Sequence, residues 1–164
     1  MTRKKISLLI LATLLTCIME VIPTSANSSD YDTSLSTIEQ LGNGYYFETI
    51  IENSFGPSVA VPNGTTKYIT KTKTTQMKNS AGTVLWSISI KATFSYDGTT
   101  SKCTSCSHSC EVYASAWSID SISSSRSGNS ATTKAIATYT APSGASQSYS
   151  KSVTIKCSAT GVVS

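Results

Sequence analysis

The stretch Val84-Leu-Trp-Ser-Ile-Ser-Ile-Lys-Ala-Thr-Phe-Ser-Tyr96 decides the fold of this chain. Apolar side chains occupy every second position in it: Val84, Trp86, Ile88, Ile90, Ala92, Phe94 and Tyr96. Because successive side chains of a β-strand point to opposite faces, a period of two over this length predicts a strand with one buried face. The centre of the chain is therefore expected to form a β-sheet.

The segments on either side of this stretch have the composition of further strands joined by short turns. Asn79-Ser80-Ala81-Gly82 and Asp97-Gly98 predict hairpin turns, and Asp97 is accordingly interpreted as a turn residue rather than a catalytic acid. Residues 27–44 are polar and predict a flexible N-terminal extension, with one helical turn at residues 36–41 that Gly42-Asn43-Gly44 would end. The other predicted strands cover residues 45–52, 67–78, 111–122, 131–141 and 147–157.

This series of strands predicts the fold class. Six or seven short strands without a long helical pattern favour an all-β fold, namely a disulfide-stabilised antiparallel β-sandwich over residues 45–164. The architecture would be similar to that of immunoglobulin domains. The Cys…Trp…Cys order of antibody domains is missing, however, because Trp86 precedes every cysteine that follows the N-terminal region.

The N-terminus predicts export. Basic residues 3–5 precede an apolar stretch at residues 6–19, and small residues follow. This arrangement is typical of a signal peptide, here residues 1–26 with cleavage between Ala26 and Asn27. The apolar stretch is shorter than the roughly 20 residues that span a membrane. We expect a secreted or cell-surface-associated protein; an alternative is a lipoprotein signal in which Cys17 is acylated.

The charge distribution bears on the class of partner. Removing the signal peptide takes away three basic residues and one acidic residue, which lowers the formal net charge from +4 to +2. In the remaining residues 27–164, most acidic residues precede residue 53, whereas all lysines lie from residue 67 onward. This asymmetry would suit anionic partners, such as a cell-wall polymer, a glycan or a membrane surface, but so small a charge steers association weakly, and ordinary solubility is the favoured explanation. Export and modest charge argue against nucleic acid.

Four cysteines remain after cleavage: Cys103, Cys106, Cys110 and Cys157. An even number in an exported domain predicts two disulfides. We favour Cys103–Cys157 with Cys106–Cys110, because Cys157 ends a strand on its apolar side and the other two can close a local loop. The alternative is a metal site of Cys103, Cys106, His108 and Cys110, but so compact a set of ligands reaches the tetrahedral geometry of zinc with difficulty.

The sequence contains no motif that specifies a reaction. His108 is its one histidine and lies among the cysteines without a recognisable nucleophile motif. Glu111 and Asp120 could serve as the two carboxylates of a glycosidase, but their opposite parity in one predicted strand places them on different faces. We therefore predict no catalytic residue, no cofactor and no enzyme activity, and retain a small secreted hydrolase as an alternative.

Binding is the favoured function. Lys67, Lys71 and Lys73 share one face of a predicted strand and form a cationic stripe, unless they only protect an edge strand from aggregation. Four aromatic residues could form a sugar site: Tyr45, Tyr46, Trp86 and Trp117. Of these, Trp86 belongs to the apolar face of its strand and is expected in the core. A second alternative is a membrane-active or antimicrobial protein that inserts the hairpin formed by residues 67–96.

A set of short motifs resembles an uncharacterised family of small exported proteins of clostridia-like Gram-positive bacteria. The resemblance covers about residues 45–164 and rests on Lys71-Thr72-Lys73, Lys78-Asn79-Ser80, Leu85-Trp86-Ser87, Thr93-Phe94-Ser95-Tyr96, Ser101-Lys102-Cys103-Thr104, Ser127-Gly128 and Lys156-Cys157. It implies bacterial origin, export and the Cys103–Cys157 pair. Cys106 and Cys110 are additions to the family pattern, and no catalytic residue transfers.

Overall fold

The computed structural model describes residues 36–52 and 65–164, and the regular structure in these ranges consists of β-strands. The predicted signal peptide, with its cleavage site between Ala26 and Asn27, and Cys17 lie outside the described residues. The all-β class is confirmed. The strands are β1 (Ser36–Gly42), β2 (Tyr45–Ile51), β3 (Lys67–Asn79), β4 (Val84–Tyr96), β5 (Ser101–Val112), β6 (Trp117–Ser127), β7 (Ser130–Thr140) and β8 (Ser146–Lys156).

The strands form two antiparallel sheets. The five-stranded sheet has the order β1-β2-β3-β4-β5, and the three-stranded sheet has the order β6-β7-β8. Strands β3 and β4 lie against β7 and β8, and the side chains between the sheets form the core. Within each sheet, neighbours in space are neighbours in the chain. This differs from the Greek-key connections of immunoglobulin domains, so the predicted likeness ends at the two-sheet architecture.

Strand β4 has the bounds and the buried face that its period predicts. Trp86, Ile88, Ile90 and Phe94 are fully buried on the inner face of the five-stranded sheet. Leu85 and Ser87 of the outer face are buried as well, because the segment after β5 crosses them and the amide of Tyr113 donates to the Leu85 carbonyl. One strand therefore anchors the core.

Aromatic rings fill one end of the core. Trp117 lies within 6.4 Å, centroid to centroid, of the rings of Tyr45, Trp86, Tyr139 and Tyr149. Both tryptophans are buried, Trp86 completely. The assignment of Trp86 to the core is confirmed, and Trp117 joins it, so these two side chains are not available for stacking on a sugar.

Both predicted hairpin turns are confirmed. The carboxylate of Asp97 accepts the amides of Thr99 and Thr100, which lowers the pKa of Asp97, and Gly98 follows with φ of 88°. In the other turn, the side-chain oxygen of Asn79 accepts two backbone amides. Each side chain thus closes its own turn.

The predicted helical turn at residues 36–41 is wrong, as is the flexible extension over this part of the chain. Residues 36–42 form β1, which pairs with β2. Gly42-Asn43-Gly44 does not end a helix but makes the hairpin turn between β1 and β2, since all three residues have positive φ. The described part of the predicted extension, residues 36–42, is therefore a strand of the five-stranded sheet.

The predicted strand at residues 111–122 is also wrong. Strand β5 ends at Val112 and β6 begins at Trp117 in the other sheet, so the break between the sheets falls inside the predicted strand. Most of β5 consists of Ser, Thr, Cys and His, which carry little apolar alternation. This segment becomes a strand because β4 offers it a hydrogen-bonding edge.

Candidate functional site

The cysteine-rich segment is an extended strand rather than a loop. Cys106, His108 and Cys110 are alternate residues of β5, opposite Ala92, Ile90 and Ile88 of β4. Four residues of strand separate the Cα atoms of Cys106 and Cys110 by about 13 Å. A disulfide needs Cα atoms about 4.4–6.8 Å apart. The predicted Cys106–Cys110 ring is therefore wrong for this structure.

The same geometry keeps the alternative metal ligands apart. The Cα atoms of Cys106 and Cys110 lie about 13 Å apart along the strand, which is too far for both short side chains to reach one tetrahedral ion. Among the described residues, which include Cys103, Cys106, His108 and Cys110, no group of three or more ligating side chains could hold a metal. The Nδ1 atom of His108 instead lies 2.9 Å from the hydroxyl of Ser124.

Cys103 and Cys157 are buried in the core as free thiols. Their backbone amides donate to the carbonyls of consecutive residues, Gly128 and Asn129, so the β6–β7 turn holds both cysteines at the same end of the sandwich. Burial raises the pKa of both thiols, and the neighbouring Cys103 raises that of Cys157 further. Raised pKa values make both thiols poor nucleophiles.

The two candidate carboxylates belong to different sheets. Glu111 lies in β5 and accepts the hydroxyl of Tyr113, whereas Asp120 lies in β6 and accepts the hydroxyl of Thr138 at 2.6 Å. Each carboxylate thus has its own local partner. Glu111 and Asp120 therefore do not form the carboxylate pair that a glycosidase would need.

The predicted lysine stripe points into the sandwich. Lys67, Lys71 and Lys73 face the same side of β3 as predicted, opposite Tyr96, Ala92 and Ile90 of β4. Because these partners belong to the inner face, the stripe is directed toward the three-stranded sheet. Strand β2 pairs with β3 only from Lys73 to Asn79, so the interpretation as protection for an edge strand is wrong for Lys73 and stays a prediction for Lys67 and Lys71.

The sandwich is open along one side, which we call the open seam: the gap between β1 and β8, the outer strands of their sheets. No Cα atom of β1 lies within 8 Å of a Cα atom of β8. An ion pair between Lys151 and Glu39 crosses the gap. The seam contains a cavity of about 290 Å³, lined by Thr37, Thr49, Lys73, Thr75, Lys151, Ser152, Val153 and Thr154.

Two ammonium groups from opposite sheets line this cavity. Lys73 of β3 donates to the carbonyl of Thr154 at 3.0 Å, and burial lowers the pKa of its amine. Lys151 of β8 lies 4.6 Å above the ring of Phe47, and only 13% of its side chain is exposed. Because Lys151 already pairs with Glu39, Lys73 supplies the positive charge of this partly dehydrated space that has no carboxylate partner among the described residues, and electrostatic attraction there is stronger than in water.

The cavity also presents hydroxyl groups. Thr75 is fully buried, and its hydroxyl lies 2.8 Å from that of Thr49 on the neighbouring strand. A hydroxyl both donates and accepts, so this pair can turn a donor toward an incoming anion. Ammonium and hydroxyl donors together form the usual chemistry of a phosphate, sulfate or carboxylate site.

Sequence reasoning identified Lys73 but missed Lys151. A signal was present, because Lys151 has the same parity in β8 as the apolar residues Tyr149, Val153 and Ile155. A lysine within an apolar face points inward with its neighbours. What the sequence did not show is that these two lysines approach the same cavity from different sheets.

A second cavity of about 330 Å³ lies where β3, β4 and β5 adjoin Glu52. Its lining combines Ser and Thr hydroxyls with His108 and two side chains of opposite charge, Glu52 and Lys91. The charges offset each other, so this cavity has no preference for one sign of ligand charge. The cavity in the open seam is the stronger candidate site.

Comparison with protein-family models, characterised proteins and solved structures gave no match to this chain. The resemblance to small exported clostridial proteins stays a prediction. Within residues 36–52 and 65–164, no helix is long and apolar enough to cross a membrane.

Proposed function

We propose that this chain is an exported binding module that holds an anionic group of its ligand in the open seam. One observation carries the proposal: Lys73 and Lys151 line the same cavity from opposite sheets, together with the hydroxyls of Thr49 and Thr75. An anion between the two ammonium groups would accept hydrogen bonds from both.

The energetics of the partly buried Lys73 amine support this proposal. Burial penalises the charged form of Lys73, which is why its pKa lies below the ordinary value. A bound anion would offset that penalty and raise the pKa again. A partly buried lysine therefore contributes more binding free energy to an anionic ligand than an exposed lysine does. An ion pair between exposed groups contributes only about 0–1 kcal/mol.

The expected location supplies candidate ligands. A secreted or cell-surface protein meets anionic cell-wall polymers, anionic glycans and membrane surfaces, and each offers phosphate, sulfate or carboxylate groups.

In the oxidising environment outside the cytoplasm we also propose a Cys103–Cys157 disulfide. An extracytoplasmic thiol oxidoreductase would accept the two electrons and two protons lost from the thiols.

The test is calorimetric titration of the exported chain, residues 27–164, with inorganic phosphate, sulfate and poly(glycerol phosphate) at low salt. Lys73→Met should lower the affinity about tenfold or more, by removing a charged hydrogen bond worth about 1.5–3 kcal/mol. Lys134→Met is the matched control, since Lys134 is exposed on β7 and its loss changes the net charge equally. Equal losses in both variants would mean that the anion binds elsewhere, contradicting the proposal.

The membrane-active alternative makes a different prediction. If residues 67–96 insert into a bilayer, micromolar protein should release dye from phosphatidylglycerol liposomes. Binding to such liposomes without release, abolished by Lys73→Met, would instead agree with an anion site that recognises a headgroup.

A further inference from the structure

One edge of β8 lacks a strand partner along most of its length. The amide of Cys157 donates toward β7, so the alternate residues Lys156, Thr154, Ser152 and Ser150 direct their backbone groups away from β7. Lys156 exchanges both of its backbone hydrogen bonds with Ser164. The edge thus already pairs with an extended segment at one end.

Beyond Lys156, this edge borders the open seam. The carbonyl of Thr154 accepts the ammonium of Lys73 instead of a backbone amide. The outward backbone groups of Ser152 and Ser150 have no partner among the described residues. A row of alternating N–H and C=O groups is therefore presented beside the cavity.

The seam is too wide for β1 and β8 to pair directly. Hydrogen-bonded strands lie about 4.8 Å apart, so a single strand between β1 and β8 would require about 9.6 Å. The Cα atoms of β1 and β8 are more than 8 Å apart, and the Lys151–Glu39 side chains are long enough to meet across the gap. Direct pairing of β1 with β8 is excluded by this distance, whereas insertion of one strand is not.

From this geometry we infer that the ligand of the open seam is an extended acidic peptide segment that pairs with the free edge of β8. This inference rests on the proposed function and specifies its ligand. The peptide backbone would pair with Ser150 and Ser152, and an inward Asp or Glu side chain would reach Lys73 and Lys151. Strand addition of this kind derives affinity from main-chain hydrogen bonds and specificity from alternate side chains.

The free edge favours a peptide over an anionic polymer. Ser150 and Ser152 each offer a carbonyl acceptor as well as an amide donor, and a peptide strand presents N–H and C=O groups in the same alternation. Poly(glycerol phosphate) has phosphate acceptors and hydroxyl donors, but they do not repeat at the spacing of a β-strand. A polymer would therefore pair with the edge less completely than a peptide strand does.

The experiment compares three probes on the same exported chain. The first is a peptide of alternating Val and Asp residues, the second is the same peptide with proline at the central Val positions, and the third is poly(glycerol phosphate). Hydrogen exchange followed by NMR reports the amides of Ser150 and Ser152. We expect the first peptide to slow exchange of both amides at least tenfold, and the proline peptide to bind at least tenfold more weakly.

A variant separates edge pairing from charge. Ser150 does not line the cavity, and Ser150→Pro removes an outward N–H without breaking the β7–β8 ladder, which proline tolerates at an edge. It should lower the affinity for the Val-Asp peptide about tenfold while leaving phosphate binding unchanged. Equal affinity of the proline peptide, or binding without slowed exchange, would overturn the inference.

The outcomes distinguish this inference from the proposed function. Binding of poly(glycerol phosphate) that depends on Lys73, without peptide-induced protection of the Ser150 and Ser152 amides, overturns the peptide ligand and leaves the anion site standing. Failure of all three probes together with inorganic phosphate overturns both.

Discussion

Thr133→Val should stabilise the protein. Thr133 lies on the inner face of β7, fully buried, and its hydroxyl has no hydrogen-bond partner in the part of the chain that the structure describes. Valine keeps the β-branched shape that suits a strand and replaces the hydroxyl with a methyl group. An unsatisfied buried polar group costs about 1–3 kcal/mol, so we expect the free energy of unfolding to rise by about 1–2 kcal/mol.

A chemically identical substitution provides the control. Thr75 is as deeply buried as Thr133, but its hydroxyl bonds to that of Thr49 at 2.8 Å. Thr75→Val should therefore lower the free energy of unfolding by about 1 kcal/mol. Urea denaturation measures both changes, with unchanged m-values showing that the two-state transition is preserved. If Thr133→Val destabilises the protein as Thr75→Val does, the Thr133 hydroxyl has a partner and the reasoning is refuted.

Three further predictions concern the C-terminal turn, the buried lysine and the thiols. Gly161→Ala should destabilise the fold by more than 1 kcal/mol, because φ is +87° and a Cβ there would lie 2.5 Å from the ring of Tyr96; thermal denaturation measures the loss. The lowered pKa of Lys73 means that the unfolded chain binds more protons between that pKa and 10.5, so stability should rise with pH in this window. Lys73→Met should flatten this rise in urea melts taken at successive pH values. If oxidation pairs only Cys103 with Cys157, reduction of the secreted chain should add two hydrogens to its intact mass, not four.

The segments with strong local patterns could be predicted from the sequence. Strand β4 was predicted at its observed bounds because one face of it is apolar at every second position. The turn at Asp97-Gly98 was equally clear, since the Asp97 side chain bonds within its own turn. Such features depend on residues a few positions apart, which a sequence displays directly.

Strands β1 and β5 could not be predicted because their stability comes from a neighbour. The residues of β1 are mostly exposed, and those of β5 are mostly polar. Neither segment therefore shows apolar residues at every second position. Each is ordered by backbone pairing, β1 with β2 and β5 with β4. Backbone hydrogen bonds do not depend on side-chain type, so a strand of this kind leaves little trace in the sequence.

The sequence by itself determined that β3 places Lys71 and Lys73 on one face, because alternation along a strand is a local property. Only the tertiary structure decided that this face points inward, that Lys151 approaches Lys73 from the other sheet, and that the edges of β1 and β8 stay apart. The reason is that the packing of two sheets depends on all of their inner side chains together. A gap between outer strands follows from that packing and not from any single segment.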